Sequence, residues 1–353
     1  MGRAGRSSLT GTAKCDTTFK RAAGIPGLPA SPGYRKNGEE QTLKYAVIGA
    51  GGTGGGIGGF LARAGKDVTL IARGEHLACM QTCGLRFETL DGAFAVPVKA
   101  CAMEEYRETP DVIFVCVKGY SLPEAVSFIR RVAGFHTVVI PILNIYGTGG
   151  RLQEELPSLT VTDGCIYIAS EIREPGTILM SGRIFRVVYG LRRDTPETVA
   201  RRVRPVLETV ERDLADAGIT PVFSRQIEKD ALQKFSFVSP MAAMGARYDI
   251  PASAIQAEGP MREMFAELVR EIKALSDAMD VSLPEDIVAI NLRIMDDLLP
   301  TATASMHRDI RSGKQSEVDG LVYQVVRLGE EYHVDLPVYR EIAEKLREKL
   351  RGA

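Results

Sequence analysis

Tyr45-Ala46-Val47-Ile48-Gly49-Ala50-Gly51-Gly52-Thr53-Gly54 is the stretch on which the reading of the fold turns. A short β-rich run ends in glycines, and the apolar residues from Ile57 to Ala64 then suit a helix. Asp67-Val68-Thr69-Leu70-Ile71 reads as a second strand, so the unit is βαβ. Gly49 to Gly54 satisfies G-x-G-x-x-G in the context that gives the motif meaning, directly after a strand and before a helix. Gly49 would make the tight turn, Gly51 would let the backbone approach a pyrophosphate, and Gly54 would let helix and strand pack closely. Ala50, Gly52 and Thr53 complete the loop, and the helix N-terminus directs N–H donors at the anion. The further glycines at 55, 56, 58 and 59 would equally suit a merely flexible turn. A Walker A loop fails, because Gly65-Lys66 is followed by Asp67 and Phe60 stands at the required upstream position.

The end of the second strand bears on the choice of dinucleotide. An NAD site places Asp or Glu there to hold the ribose 2′-hydroxyl. Here the strand runs Leu70-Ile71-Ala72-Arg73, and an arginine can pair bidentately with a 2′-phosphate that a carboxylate would repel. NADP(H) is the expected cofactor, with Glu75 as a competing ribose ligand and a solvated strand-end arginine as the plain alternative.

Working outward, Val112 to Val117 and Thr137 to Ile140 are apolar without alternation, as strands buried on both faces should be, and Leu122 to Val132 between them carries a helical period. A parallel doubly wound sheet follows. Beyond Leu159 come Thr160 to Ala169, Gly176 to Met180 and Ile184 to Tyr189, expected as an antiparallel extension of that sheet, then a helix over 196–217 and a strand at Thr220 to Phe223. From Arg225 only helices are expected, over 227–246, 258–279, 284–298, 304–312, 316–333 and 337–351. The division is therefore a leader over 1–43, a Rossmann-type dinucleotide-binding domain over 44–224 and an all-helical domain over 225–353. The leader is Gly-, Ser-, Pro- and Arg-rich and reads as disordered.

The 353 residues carry a formal net charge of -1 with 45% apolar and 25% charged residues, so no basic stripe calls for nucleic acid or an anionic membrane. No apolar run is long enough for a signal or a membrane span. Cysteines at 15, 79, 83, 101, 116 and 165 form no CxxC pair and several lie in apolar runs, which favours buried thiols in a reducing compartment, the cytoplasm. Cys79 and Cys83 share a helix face, but the four histidines are scattered and no metal ligand set can be written.

The glycine loop, Arg73, Val115-Cys116-Val117-Lys118 at a strand end and Leu143-Asn144 after the next strand together resemble the ketopantoate reductase family. So do Asp230-Ala231-Leu232-Gln233-Lys234-Phe235 and the span from Ser305 to Glu317-Val318-Asp319, while Asp249-Ile250-Pro251 falls at the family's Asn-x-Pro distance from the lysine. The resemblance covers about residues 44 to 350 and implies a helical second domain like that of 6-phosphogluconate dehydrogenase. It implies NADPH-dependent reduction of a 2-oxo acid, ketopantoate to pantoate, in pantothenate and coenzyme A biosynthesis. By the same resemblance Lys234 is the general acid, Glu317 anchors substrate and cofactor ribose, and Ser305 binds the substrate carboxylate. Lys118 and Asn144 contact the cofactor near the reacting face, Asn144 also the substrate, and Arg73 holds the 2′-phosphate. Taken singly, Lys234 reads as a solvated charge, Glu317 as an exposed helix-start acid and Ser305 as an N-cap.

The sequence departs from the family where substrate hydroxyls are bound. Asn144 is followed by Ile145 where the family has glycine, and Val238, Ala242 and Ala302 stand where asparagines are expected. Ser236, Ser239 and Tyr248 are candidates to restore that polarity. A related 2-oxo acid with a more apolar tail therefore competes with ketopantoate. An opine-type dehydrogenase of the same architecture and a non-catalytic NADPH sensor are the other readings. Leu268, Ile272 and Leu275 are candidates for core or for a homodimer surface.

Overall fold

Tyr45 and Val47 pack into one apolar cluster while Ala46 and Ile48 pack into another, so the strand that carries them is covered on both sides. That is why its sequence shows no alternation. The computed structural model describes residues 34–36 and 39–351. The first strands are β1 (Tyr34–Lys36), β2 (Glu39–Gln41) and β3 (Lys44–Ile48), followed by α1 (Gly52–Arg63), β4 (Asp67–Ile71) and α2 (Gly74–Cys83). A hairpin of β5 (Leu85–Thr89) and β6 (Gly92–Val96) leads to β7 (Lys99–Cys101), β8 (Val112–Val115), α3 (Leu122–Val132), β9 (Val138–Pro141) and α4 (Thr148–Glu155). Then come β10 (Thr160–Val161), the long β11 (Asp163–Glu174) and β12 (Thr177–Gly190), α5 (Glu197–Asp216) and β13 (Thr220–Phe223).

Among the described residues β10-β9-β8-β3-β4-β7 form one six-stranded sheet, parallel at every pairing. Taken from β7 in the order of the chain, this is the 3-2-1-4-5-6 order of a dinucleotide-binding sheet, whose direction reverses between β3 and β8. The amphipathic α3 covers one face with Ala125, Val126, Ile129 and Val132. On the other face lie α1 and, beyond it, a second sheet in the order β11-β12-β5-β6.

That second sheet corrects the expected antiparallel extension. β11 and β12 pair with each other and with the β5–β6 hairpin, not with the edge of the parallel sheet. The short runs expected at 176–180 and 184–189 are one strand, because Ser181-Gly182-Arg183 stays extended within β12. The expected leader lies mostly outside the described residues; within it β1 and β2 pair antiparallel, Tyr34 opposite Gln41.

After Ser224 the described chain is helical: α6 (Ile227–Tyr248), α7 (Ala252–Gln256), α8 (Pro260–Ala278), α9 (Ile287–Asp296), α10 (Ser305–Arg311), a π-helical turn at Asp319–Tyr323, α11 (Gln324–Glu331) and α12 (Pro337–Arg351). Leu268, Ile272 and Leu275 are closed inside this helical core with Phe265, Leu321 and Tyr339, so they are core and not a dimer surface. Among the described residues no helix is long and apolar enough to cross a membrane, and no group of three or more His, Cys, Asp or Glu is placed to hold a metal ion.

One buried tie fastens α5 to the parallel sheet. The Tyr45 hydroxyl donates to Asp213 at 2.5 Å, and the Lys66 ammonium reaches the other oxygen of the same carboxylate at 2.7 Å. Tyr45→Phe would remove one donor from a buried acceptor, and we expect urea denaturation to read a loss of about 1–3 kcal/mol.

Candidate active site

Four loops that carry the sequence-selected residues leave the carboxyl ends of adjacent parallel strands. The glycine loop follows β3, Arg73 follows β4, Lys118 follows β8 and Asn144 follows β9. This is the rim where open α/β sheets bind ligands. Gly49 has φ +91°, and a Cβ there would lie 2.9 Å from the Cys116 carbonyl oxygen. A Cβ on Gly54 would lie 2.2 Å from the Gly49 carbonyl oxygen, whereas one on Gly51 would meet nothing within 4 Å. The loop is therefore tight beneath and open above. Helix α1 starts at Gly52, five residues before the expected Ile57, with Thr53 in its first turn, no side-chain cap and no acidic residue in that turn. Its first N–H groups are left for an anion, so the loop fits a pyrophosphate. Arg73 precedes α2 with its side chain 81% exposed and 3.6 Å from Glu124, while Glu75 lies in the first turn of α2.

On the opposite side the helical half delivers two residues to the same rim. Lys234, in the second turn of α6, donates from Nζ to Asn144 Oδ1 at 2.7 Å. Its ammonium lies 5.7 Å from the centre of the Tyr167 ring. Burial pushes the amine below the ordinary lysine range, while Cys165 and Glu317 pull the other way. No carboxylate among the described residues is within ion-pair distance of Lys234. Burial pushes the neighbouring Cys165 thiol up to about 11.

Glu317 is not an exposed helix-start acid. Its side chain is 4% exposed; Oε2 is 3.0 Å from Lys118 Nζ, and Oε1 accepts from the Gly119 N–H at 3.1 Å. Lys118 also pairs with Asp309 of α10 at 3.2 Å. Burial opposes the charge on Lys118, but Glu317 and then Asp309 outweigh it and hold the amine above its ordinary range. Ser305 opens α10 as its first helical residue, while Ala304 is the N-cap and the serine makes no capping bond. The structure thus joins Lys234 to Asn144 and Glu317 to Lys118; Ser305 and Arg73 stand at the borders, without a hydrogen bond to either pair among the described residues.

Ile145 stands where the family has glycine. It is not in the left-handed region that favours glycine. Its side chain is buried where Cβ atoms on Gly119 and Gly320 would lie 2.4 and 2.3 Å from Ile145 Cδ1. Glycines facing it from the turn after β8 and from the π-helical turn make the room. Ser236 and Ser239 do not restore lost polarity: both are fully buried, Ser236 donating to the Gln233 carbonyl and accepting from Asn291, Ser239 donating to the Leu321 carbonyl and bonded to Tyr339. Ala242 is closed in the helical core, so its position faces no cleft.

Sequence reasoning missed the groups that fix the Asn144 loop. Thr148 donates to the Ile145 carbonyl, Gln324 donates to the Tyr146 carbonyl, and the Gly149 N–H donates to Asp163, each at 2.8 Å. Burial pushes the Asp163 carboxyl up to about 6. A carboxylate just before the apolar run Cys165 to Ile168 was the signal available for it. Asn144, Ile145, Tyr146 and Asp163 line a narrow cleft with Cys165, Lys234 and Phe235, while a broader hollow lies at the β7 edge.

Two family models match the chain in succession. The family model described as ketopantoate reductase PanE/ApbA matches residues 45–193, and that described as ketopantoate reductase PanE/ApbA C terminal matches residues 226–350. A 2-dehydropantoate 2-reductase of Mesorhizobium japonicum is 27% identical over 310 residues, covering 81% of this chain and 91% of that protein. A PanE/ApbA family ketopantoate reductase structure from Ralstonia eutropha JMP134 aligns with TM-score 0.76 at 26% identity, over 86% of this chain and 97% of that one. A D-mandelate dehydrogenase bound to NADH and anilino(oxo)acetate aligns equally well, TM-score 0.76, over 87% of this chain and 98% of its own, and at 20% identity shares the fold.

The two glycines separate packing from binding. Gly54→Ala would drive a methyl into backbone, and we expect a loss of about 1–3 kcal/mol in thermal denaturation. Gly51→Ala should melt like the parent protein and lose affinity for NADPH in a fluorescence titration.

Proposed function

The chain belongs to the ketopantoate reductase family, and we propose that it is an NADPH-dependent reductase that converts a 2-oxo acid to the 2-hydroxy acid, with ketopantoate to pantoate as the leading reaction. The observation that carries this reading is the 2.7 Å bond from Lys234 to Asn144, which brings a lysine of the helical half to a strand-end asparagine of the dinucleotide-binding half. We divide the chain accordingly at residues 224 and 225.

Bound NADPH supplies the hydride. The residues of the chain do the rest. Reduction of a ketone builds negative charge on its oxygen, and the Lys234 ammonium would stabilise that charge and give up its proton there. Asn144 accepts from the same ammonium and so aims it. Glu317, tied to Lys118 and Gly119, would hold ribose and substrate hydroxyls, and Ser305 would take the substrate carboxylate. The N–H groups of Gly49 to Gly54 would hold the pyrophosphate and Arg73 the 2′-phosphate, which favours NADPH over NADH. Such a protein would work in the cytoplasm, in pantothenate and coenzyme A biosynthesis. A homodimer would need surfaces other than Leu268, Ile272 and Leu275, such as the exposed Ile294 and Leu299.

A second reading keeps the reaction and changes the substrate. Val238 replaces an expected asparagine, and Ser236 and Ser239 are occupied by the helical core, which suits a 2-oxo acid with a more apolar tail.

Purified protein with NADPH should oxidise the cofactor when ketopantoate or a branched 2-oxo acid is added, and Lys234→Ala should slow turnover by about 10²–10⁴-fold. Binding without turnover for every 2-oxo acid would indicate a sensor; turnover only when an amine is added would indicate an opine-type enzyme. The pH profile has a defined sign. Lys234 must be protonated to act, and burial lowers its pKa, so kcat should fall on the alkaline side with a limb below the ordinary lysine value of 10.5.

A further inference from the structure

His76, on α2, has both ring nitrogens engaged by backbone groups of opposite character. The Gly176 N–H, in the turn between β11 and β12, donates to Nδ1 at 2.9 Å. Nδ1 must therefore be the unprotonated nitrogen, which leaves the proton on Nε2. Nε2 lies 2.8 Å from the carbonyl oxygen of Ala50, the second residue of the glycine loop, and that oxygen can only accept. The two contacts select one neutral tautomer between them. Burial holds the imidazole below the ordinary histidine range, which keeps it neutral near pH 7.

The contact with Ala50 has a directional consequence. A trans peptide is planar, so the Ala50 carbonyl and the Gly51 N–H point in opposite directions. Drawing the carbonyl toward His76 turns the Gly51 N–H away from it. The space about Gly51 is open, as a group meant for a ligand requires. The far end of the clamp is itself fixed, because the Gly176 carbonyl accepts from the Arg86 N–H at 2.9 Å and a Cβ on Gly176 would lie 2.7 Å from Cys79 Cβ.

We propose that His76 is a positioning residue for the cofactor: as the Nε2–H tautomer it holds the Ala50 carbonyl and so presets the Gly51 N–H toward the dinucleotide phosphates. The glycine loop is then anchored to the second sheet through a side chain that never touches the ligand. This inference rests on the reading of Gly49 to Gly54 as the cofactor loop.

The test is a fluorescence titration with NADPH of the parent protein, His76→Ala and His76→Gln, with melting temperatures and with the imidazole tautomer of the parent read by ¹⁵N NMR. Loss of one preset donor should raise Kd for NADPH about 5- to 20-fold in His76→Ala. The effect should fall on KM for NADPH and not on kcat. The Gln carboxamide carries both a donor and an acceptor and should recover most of the affinity. Unchanged NADPH affinity in His76→Ala would overturn the proposal, as would an Nδ1–H or doubly protonated ring in the parent at neutral pH even if His76→Ala proves unstable. Failure of the parent protein itself to bind NADPH would instead overturn the reading of the glycine loop, and the clamp with it.

Discussion

A parallel sheet has to be covered on both faces, and here that requirement places the chemistry. With α3 on one side and α1 and the second sheet on the other, the polar ends of the strands are the part left open, and the loops from β3, β4, β8 and β9 meet there. A sheet edge would have scattered these loops. The reversal of strand order between β3 and β8 sets the glycine loop beside Lys118 and opens a crevice for a ligand.

The rim is completed by contacts that cross between the two halves. Lys118 and Gly119 reach Glu317, Lys234 reaches Asn144, and Ile145 packs against Gly119 and Gly320. The first two are polar and the third is apolar. A buried carboxylate such as Glu317 is tolerable only because an ammonium and a backbone N–H share its charge. Lys234 has a neutral amide and an aromatic face beside it and no carboxylate within ion-pair distance, and burial lowers its amine.

Much of the fold was legible because it obeys local rules. The β3–α1–β4 unit, α3 and α5 fall within a few residues of their expected places, since glycine context, buried runs and helical period are all short-range signals. What was not legible depends on distant partners. The choice of β12 to pair with β5 and not with the parallel sheet is decided by residues some ninety positions apart, Thr177 beside Arg86, and leaves no periodic trace. The room for Ile145 is made by Gly119 and Gly320, so a side chain in place of glycine in one segment is accommodated by two others. Ser236 and Ser239 looked available because a serine carries no mark of which face of α6 it occupies. His76 was passed over because a lone histidine gives no hint that two backbone groups far along the chain await it.

The most direct measurement follows the hydride itself. NADPH carrying deuterium at the transferable C4 position is incubated with the protein and a panel of 2-oxo acids that includes ketopantoate, and the products are analysed by mass spectrometry and NMR. One deuterium at C2 of a 2-hydroxy acid would establish reduction of a 2-oxo acid by this chain and name its substrate. A protein that binds NADPH and yields no labelled 2-hydroxy acid with any member of the panel would contradict it.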